Sequence, residues 1–446
     1  MIRSYARTPR QISLGLLAAF AFAAAGASAQ TAPPIAINQT TAPAAPTPAP
    51  MAPVFPQPDP ANFTATTPSR AVLEAFLQSS WGKVENRTWQ IQAILKTQIP
   101  DISHVVVLVG DKTGKEQTQI VDFLAFADGK HFLAGDRMVD TEVEDSSQPK
   151  PAPGAQPVPA APTDTRFPAP KAENFTSATP TVASVDAFTR AMKGFDDSIA
   201  WQVEAIQKTQ VPGLVRVVVM FAEKKSTNPA QPTVFFVLPD GKHIAAANEI
   251  LPFGDNPFAE TRKLLEDKAT GPYRGAADKN FEIVEFADFQ CPHCKLAQPN
   301  IEKLATDYPN ARIVFEAFPL GQIHPAAVKA ATYAGCVAQL AGSTAFFNFA
   351  AAVFDGQDGL ATPDGTMLTL NSALTKAGVD QAKVTACVGT PAAKATVDAS
   401  VALAAELHLN QVPTLFVNGR PIPGSAPYDV LKKVIDFQLK MDGITK

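Results

Sequence analysis

The sequence FADFQCPHC, residues 286–294, decides how the C-terminal part of this chain is organised. It starts as the end of an apolar strand and continues as the first turn of a helix, with two cysteines three positions apart. A cysteine pair with this spacing can close into a small disulfide and open again. The motif therefore indicates redox chemistry rather than architecture.

The first of these cysteines is predicted to have a stabilised thiolate. Cys291 falls at the N-cap of the helix, where backbone N–H groups lack partners and the helix dipole is positive. Pro292 suits the first helical position, because its missing N–H would be unused there. With the His293 imidazole alongside, we expect a pKa well below that of a free cysteine for Cys291. Cys294, one turn further on, is expected to be the resolving thiol.

Three other interpretations of the cysteine pair fit the sequence less well. A zinc site would need a second Cys-x-x-Cys pair, and the sequence has none. A haem attachment site needs histidine directly after the second cysteine, where this chain has Lys295. An inert disulfide closing a ring of four residues would remove little chain entropy, so it would stabilise the fold poorly.

The motif resembles that of the DsbA-like thioredoxin-fold proteins. The resemblance covers roughly residues 270–446 and includes a second motif, Val412-Pro413-Thr414, far downstream. It implies an α/β thioredoxin-like domain over residues 271–446 with a helical insertion. It also implies a cis peptide bond before Pro413 that faces the cysteine pair, and Val412 with His293 is similar to the oxidase branch.

The resemblance also supplies roles for individual residues. Glu285, six positions before Cys291, matches a buried acidic residue that is thought to move the proton of the resolving thiol. An ordinary carboxylate at a strand end is the alternative interpretation. The catalytic residues implied in this way are Cys291, Cys294, His293, Pro292, Val412, Pro413 and Glu285.

Composition and the N-terminus set the wider context. The chain has 446 residues, of which 18% are charged, and a formal net charge of −4, which gives no reason to expect nucleic acid or an anionic membrane surface. Residues 1–29 resemble a secretory signal, with three arginines, an apolar run and Ala27-Ser28-Ala29 as the cleavage site. We expect export to the periplasm of a Gram-negative-type cell; a retained membrane anchor is the alternative.

A repeat with a constant offset precedes the redox motif. Proline-rich linkers, residues 30–60 and 146–172, each precede one of two segments, 61–145 and 173–258. Residues of the first segment recur 112 positions later in the second, as Asn62 does at Asn174 and His131 at His243. The fold class predicted for these segments is two repeated small α+β modules. A linking helix, 259–270, is predicted to join the second module to the redox domain.

Each copy is predicted to place helices before strands. The predicted helices are 70–78 and 84–98 in the first copy and 185–193 and 199–210 in the second. The predicted strands, rich in β-branched residues, are 102–109, 120–127, 214–221 and 233–238, with hairpin turns at Asp-Gly pairs. Trp89 and Trp201 are expected to anchor helix to sheet, with a peptide-binding face as the alternative. The modules loosely resemble the dimerisation modules of DsbC and DsbG, which implies a possible homodimer.

The other two cysteines are predicted to form a structural disulfide. Cys336 and Cys387 lie 51 residues apart in the predicted helical insertion. Closing such a loop is worth about 4 kcal/mol in the chain-entropy model. Two buried thiols are the alternative. No chemistry is predicted for His324 or His408.

Together these features predict an exported thiol–disulfide oxidoreductase. It would act on client proteins with cysteines, exchange electrons with a membrane or soluble redox partner, and need no dissociable cofactor or metal. One alternative is a disulfide isomerase or reductase that uses the front modules to dimerise or hold clients. Another is a periplasmic chaperone or binding protein whose redox domain is secondary.

Overall fold

Two compact units make up the described part of the chain. The first contains residues up to Asp186 together with Ala200–Gly254, and the second contains Ala187–Ile199 and residues from Asp255 onward. The predicted signal and most of the first proline-rich linker lie outside the described residues. The computed structural model describes residues 55–81, 86–112, 118–135, 137–140, 155–159, 164–246 and 249–445.

The first unit contains two five-stranded sheets, and in each sheet consecutive strands are neighbours. The elements up to the end of the first sheet are α1 (Arg70–Trp81), β1 (Arg87–Lys96), β2 (Ile102–Asp111), β3 (Gln119–Phe126), β4 (His131–Ala134) and β5 (Arg137–Asp140). The elements up to the end of the second are α2 (Val182–Lys193), β6 (Ile199–Lys208), β7 (Val215–Glu223), β8 (Gln231–Val237), β9 (His243–Ala246) and β10 (Glu249–Pro252).

The second helix predicted in each copy is wrong. The segments 84–98 and 199–210 contain the strands β1 and β6 instead. In β1 the pairing with β2 shifts register between Ile91 and Ala93, which is a bulge or irregularity. A bulge breaks the strict alternation of a strand, so Ile91, Ile94 and Leu95 imitate the period of a helix.

The two sheets of the first unit pack face to face. In β3, Phe123 and Ala125 belong to the apolar cluster that includes α1, whereas Leu124 and Phe126 belong to a cluster shared with the second sheet. Successive strand residues point to opposite faces, so one face of the first sheet packs against α1 and the other packs against the second sheet. The buried residues of the shared cluster, called here the intersheet face, are Ile99, Ile102, Leu124, Phe126, Leu133, Val211, Leu214, Phe236, Leu238 and Ala245.

The intersheet face follows the sequence repeat position by position. Each buried residue of this face between positions 99 and 133 has a counterpart 112 positions later, as Leu124 has in Phe236. The same strand order in both sheets is consistent with duplicated modules. The duplication itself stays a prediction from the sequence.

Each tryptophan of the repeat links a strand to a helix. The Trp89 indole Nε1 donates a hydrogen bond to the Glu74 carboxylate at 3.0 Å, and Trp201 Nε1 donates to Asp186 at 2.9 Å. Both side chains are half-buried. The expectation that they anchor helix to sheet is therefore met, although both lie on strands.

The second unit has a mixed sheet in the order β11-β13-β12-β14-β15. Its elements, in chain order, are α3 (Ala259–Lys268), β11 (Tyr273–Gly275), β12 (Glu282–Ala287), α4 (Pro292–Asp307), β13 (Arg312–Ala317), α5 (Ala327–Asp355), α6 (Pro363–Ala377), α7 (Gln381–Val388), α8 (Pro391–Glu406), β14 (Thr414–Val417), β15 (Arg420–Pro423) and α9 (Tyr428–Met441).

Strand β12 runs through the middle of this sheet and positions the cysteine pair. It pairs in parallel with β13 and antiparallel with β14, and all of its residues are buried. On one face Ile283 packs in a cluster with residues of α4 and α9. On the other face Val284 and Phe286 pack with residues of α3 and α8. A strand covered on both faces explains the nearly continuous apolar run before the cysteines.

The helical insertion α5–α8 separates β13 from β14, as predicted. Cys336 on α5 and Cys387 on α7 form a disulfide, which confirms the predicted pairing. Within the described ranges α5 is the one helix long and apolar enough to cross a membrane. Gly342 breaks it, and each arm is shorter than the ~20 residues that a span needs. Buried residues such as Phe346 and Phe349 place it in the core of the domain.

Candidate active site

The cysteine pair lies where β12 ends and α4 begins. Cys291 is the N-cap of α4 and Pro292 its first residue. The Cys291 carbonyl accepts hydrogen bonds from the backbone N–H of Cys294 at 3.1 Å and of Lys295 at 3.2 Å. Cys291 is 6% exposed and Cys294 is 0% exposed. Only the first sulfur can therefore be approached from solvent.

The environment of Cys291 favours its thiolate. A hydrogen bond from the Cys294 thiol, backbone N–H groups of Cys294 and His293, and the charge of His324 lower the pKa of Cys291 to about 6, against the opposing effect of burial. The backbone N–H groups at the helix N-terminus are thus among the causes of the low pKa of Cys291.

The environment of Cys294 has the opposite effect. Burial, followed by the hydrogen bond to Cys291, raises the pKa of the Cys294 thiol above its usual range. The backbone N–H of Asp288 lies 3.4 Å from the Cys294 sulfur. The two sulfurs therefore differ strongly in acidity, as an attacking and a resolving thiol should.

The second motif meets the first across the site. The Val412–Pro413 peptide bond is cis, as the resemblance implies. The Cys291 sulfur lies 4.0 Å from the carbonyl oxygen of Val412. Two segments more than a hundred residues apart in the sequence therefore converge on one sulfur.

Glu285 lies on β12 beneath the cysteines. It is 2% exposed, and burial raises the pKa of its carboxyl to about 7. The Gln298 side-chain amide donates to Glu285 Oε1 at 2.8 Å. The charge of Glu285 also contributes to the raised pKa of Cys294. The carboxyl is therefore close enough to the resolving thiol for the two to influence each other.

The positions of the two histidines near the cysteine pair differ from what the sequence predicts. The His293 side chain is exposed, and its effect on the pKa of Cys291 comes through its backbone N–H. His324, to which no chemistry was assigned, places Nδ1 2.8 Å from the buried carboxylate of Asp288. The signal that could have found this pair is positional. Asp288 and His324 follow β12 and β13, and adjacent parallel strands end at the same edge of a sheet.

Two glutamines contact the cysteine loop in ways that the sequence does not predict. The buried Gln357 amide donates to the carbonyl oxygens of Phe289 at 2.8 Å and Cys291 at 3.0 Å. Gln290 accepts from the Ala326 N–H at 2.7 Å. Both contacts tie the cysteine loop to the helical insertion. Across the described residues no group of three or more His, Cys, Asp or Glu side chains could hold a metal ion.

Comparisons with known proteins find a family model and several proteins that are similar to part of this chain. A family model described as Thioredoxin matches residues 267–437. Disulfide bond formation protein D of Bacillus subtilis is 26% identical over 174 residues, which are 38% of this chain and 77% of that protein. A periplasmic thioredoxin-like protein from Salmonella enterica, of known structure, is 22% identical with a TM-score of 0.34, covering 41% of this chain and 97% of that one.

Two other curated relatives match only a short segment. The Na⁺/H⁺ antiporter NhaA 3 of Salinispora tropica is 39% identical over 66 residues, which are 15% of this chain. The chain spans about a tenth of the length of the first two curated relatives that it matches. The match of the thioredoxin model supports a thioredoxin-like domain over residues 267–437, and the duplicated front modules stay a prediction.

Proposed function

We propose that this chain, which carries a thioredoxin-like domain over residues 267–437, is a thiol–disulfide oxidoreductase of client proteins. The observation that carries the proposal is the contrast between the two sulfurs. Cys291 has a pKa of about 6, whereas burial raises the pKa of Cys294. A stabilised thiolate beside a buried thiol makes the reduced pair favourable and its disulfide oxidising.

The reaction follows from this contrast. With the pair oxidised, a client thiolate attacks the Cys291 sulfur, the Cys291–Cys294 bond breaks, and Cys294 leaves with the electron pair and takes up a proton. A second client thiolate then attacks the client sulfur of the mixed disulfide, and Cys291 leaves as a thiolate. The client loses two electrons and the cysteine pair gains them. A redox partner protein, membrane-bound or soluble, takes the electrons in turn.

The remaining catalytic residues have roles in these steps. We assign Val412 and Pro413 to holding the client backbone beside the Cys291 sulfur, because the Val412 carbonyl is 4.0 Å from it. Glu285, with a pKa of about 7, is suited to exchange the proton of Cys294 at neutral pH. Pro292 begins the helix and so fixes the N–H groups that face Cys291.

The proposed compartment is oxidising. The Cys336–Cys387 disulfide supports this part of the proposal, because structural disulfides persist mainly outside the cytosol. We therefore propose export to the periplasm, in line with the signal expected at residues 1–29.

The decisive experiment compares the full chain with its Cys291→Ser variant. Insulin reduction and oxidation of a dithiol peptide should both be lost in the variant, while the Cys336–Cys387 disulfide is kept. Turnover retained by Cys291→Ser would refute the assignment. Refolding of scrambled ribonuclease in the same samples separates an oxidase from an isomerase. The isomerase alternative remains a second candidate because the two sheets of the first unit offer a surface that could hold clients.

A further inference from the structure

A histidine outside the cysteine motif is fixed beside the redox site. We propose that His324, held by the buried carboxylate of Asp288, is a positioning residue that stabilises the Cys291 thiolate, and that the side chain of His293 does not have this role. The inference deepens the proposed function and rests on it, since a stabilised thiolate matters only where that sulfur exchanges partners.

Asp288 is the hub of this arrangement. Its side chain is 0% exposed. One carboxylate oxygen accepts from the Gln290 N–H at 2.7 Å, and the other accepts from the Leu320 N–H at 2.8 Å and faces His324 Nδ1. The backbone carbonyl of the same residue accepts from the Cys291 N–H at 3.1 Å. One buried residue thus connects the cysteine loop to the loop that carries His324.

One contact of the ring and one of the backbone position His324. Nδ1 lies 2.8 Å from Asp288 Oδ2, and the His324 backbone N–H donates to the Leu320 carbonyl at 2.9 Å. The side chain is 16% exposed. His293, in contrast, is the second residue of the helix and has an exposed side chain. The attraction between a positive ring and a thiolate is screened less when the ring is fixed and largely buried than when solvent surrounds it.

Electrostatics support the same choice of histidine. The charge of His324 is among the causes that lower the pKa of Cys291, and the contribution given for His293 comes from its backbone N–H. The ammonium of Lys295 lies 3.9 Å from the exposed Asp358 carboxylate, at the surface. The titratable groups of the surrounding elements are Cys294, Glu285, Asp288, His293, Lys295 and His324.

The test measures the acidity of one sulfur and requires no client. The full-length chain is reduced mildly so that Cys336–Cys387 stays closed, and the rate of Cys291 alkylation is followed against pH. His324→Asn removes the charge, while its amide can still donate to Asp288 in place of Nδ1. His324→Arg keeps a positive charge, and His293→Asn is the matched control on the other histidine.

We expect His324→Asn to raise the pKa of Cys291 by about half a unit to one unit, which slows alkylation at pH 6 by about two- to five-fold. We expect His324→Arg and His293→Asn to stay close to the wild type. An effect of His293→Asn equal to or larger than that of His324→Asn would overturn the inference. So would an unchanged His324→Asn, or loss of the low pKa in both His324 variants, which would indicate a structural role.

The two proposals fail separately. If the wild type shows no insulin reduction and no dithiol oxidation, the proposed function fails, but the alkylation profile still decides the role of His324. Thermal melting monitored by circular dichroism shows that each variant is folded. Should His324→Asn not fold, His324→Gln takes its place, because it also removes the charge, and an unchanged profile in that variant would overturn the inference.

Discussion

The hydrogen bond from Cys294 to Cys291 is the first of the causes that lower the pKa of Cys291, and its removal gives a sharp prediction. A hydrogen bond to a charged group is worth about 1.5–3 kcal/mol, and one pKa unit corresponds to about 1.4 kcal/mol. Cys294→Ala should therefore raise the pKa of Cys291 by about one to two units. Starting from about 6, the titration midpoint should move to about 7–8.

The assay is alkylation of Cys291 by iodoacetamide, followed by mass spectrometry from pH 5 to pH 9. At pH 7 the rate should fall about two- to ten-fold in Cys294→Ala, because the thiolate fraction falls from about nine-tenths to between a half and a tenth. Cys294→Ser is the matched control, because it also leaves Cys291 as a single thiol but keeps a donor at position 294.

The outcome for the control separates the causes. We expect Cys294→Ser to titrate close to the wild type. If Cys294→Ala also keeps a midpoint near 6, the hydrogen bond is not the main cause, and the helix N-terminus must carry the effect instead. If both variants titrate like free cysteine, the loss of the buried sulfur has disturbed the loop.

Three further predictions concern the described domains. Glu285→Gln should raise the free energy of unfolding by up to about 3 kcal/mol at pH 8 and by little at pH 4.5. The reason is that the pKa of Glu285 is raised to about 7 in the folded state, so its contribution to stability is present below the unfolded pKa and is lost as the pH rises through about 7. Equal effects at the two pH values in chemical denaturation would contradict this. Replacing Cys336 and Cys387 together with alanine should lower the stability of the redox domain by up to about 4 kcal/mol, and no change in the denaturation midpoint would count against the loop-closure argument. Leu124→Ala and Phe236→Ala should each cost about 2–5 kcal/mol, with a non-additive double variant because both lie in the intersheet face; strict additivity would indicate that the two sheets unfold independently.

The redox domain could be predicted from sequence because its signals are local and strong. The β12–Cys-Pro-His-Cys–α4 boundary depends on burial, an N-cap and a proline at the first helical position, all of which are written in consecutive residues. The disulfide followed from an even cysteine count and a long loop. The resemblance to a known family then supplied Val412 and Pro413, which no local pattern would have brought to the site.

The front sheets and the loop contacts were harder for different physical reasons. In β1 a bulge displaced the alternation, so a strand imitated a helix. His324 and Gln357 contact residues of the cysteine loop that lie 36 and 66 positions before them in the sequence. A single histidine or glutamine in a loop carries no periodicity, and its partner is set by strand order rather than by spacing along the chain.

The intersheet face has a consequence for how the first unit responds to dilution. Pairs of like surfaces usually meet when two separate molecules associate, and such pairs come apart as the protein is diluted. Here the same chain supplies both surfaces, at positions 112 residues apart. The tether fixes their effective concentration. We therefore expect the pairing of the sheets to survive at nanomolar protein, where a two-chain counterpart would separate.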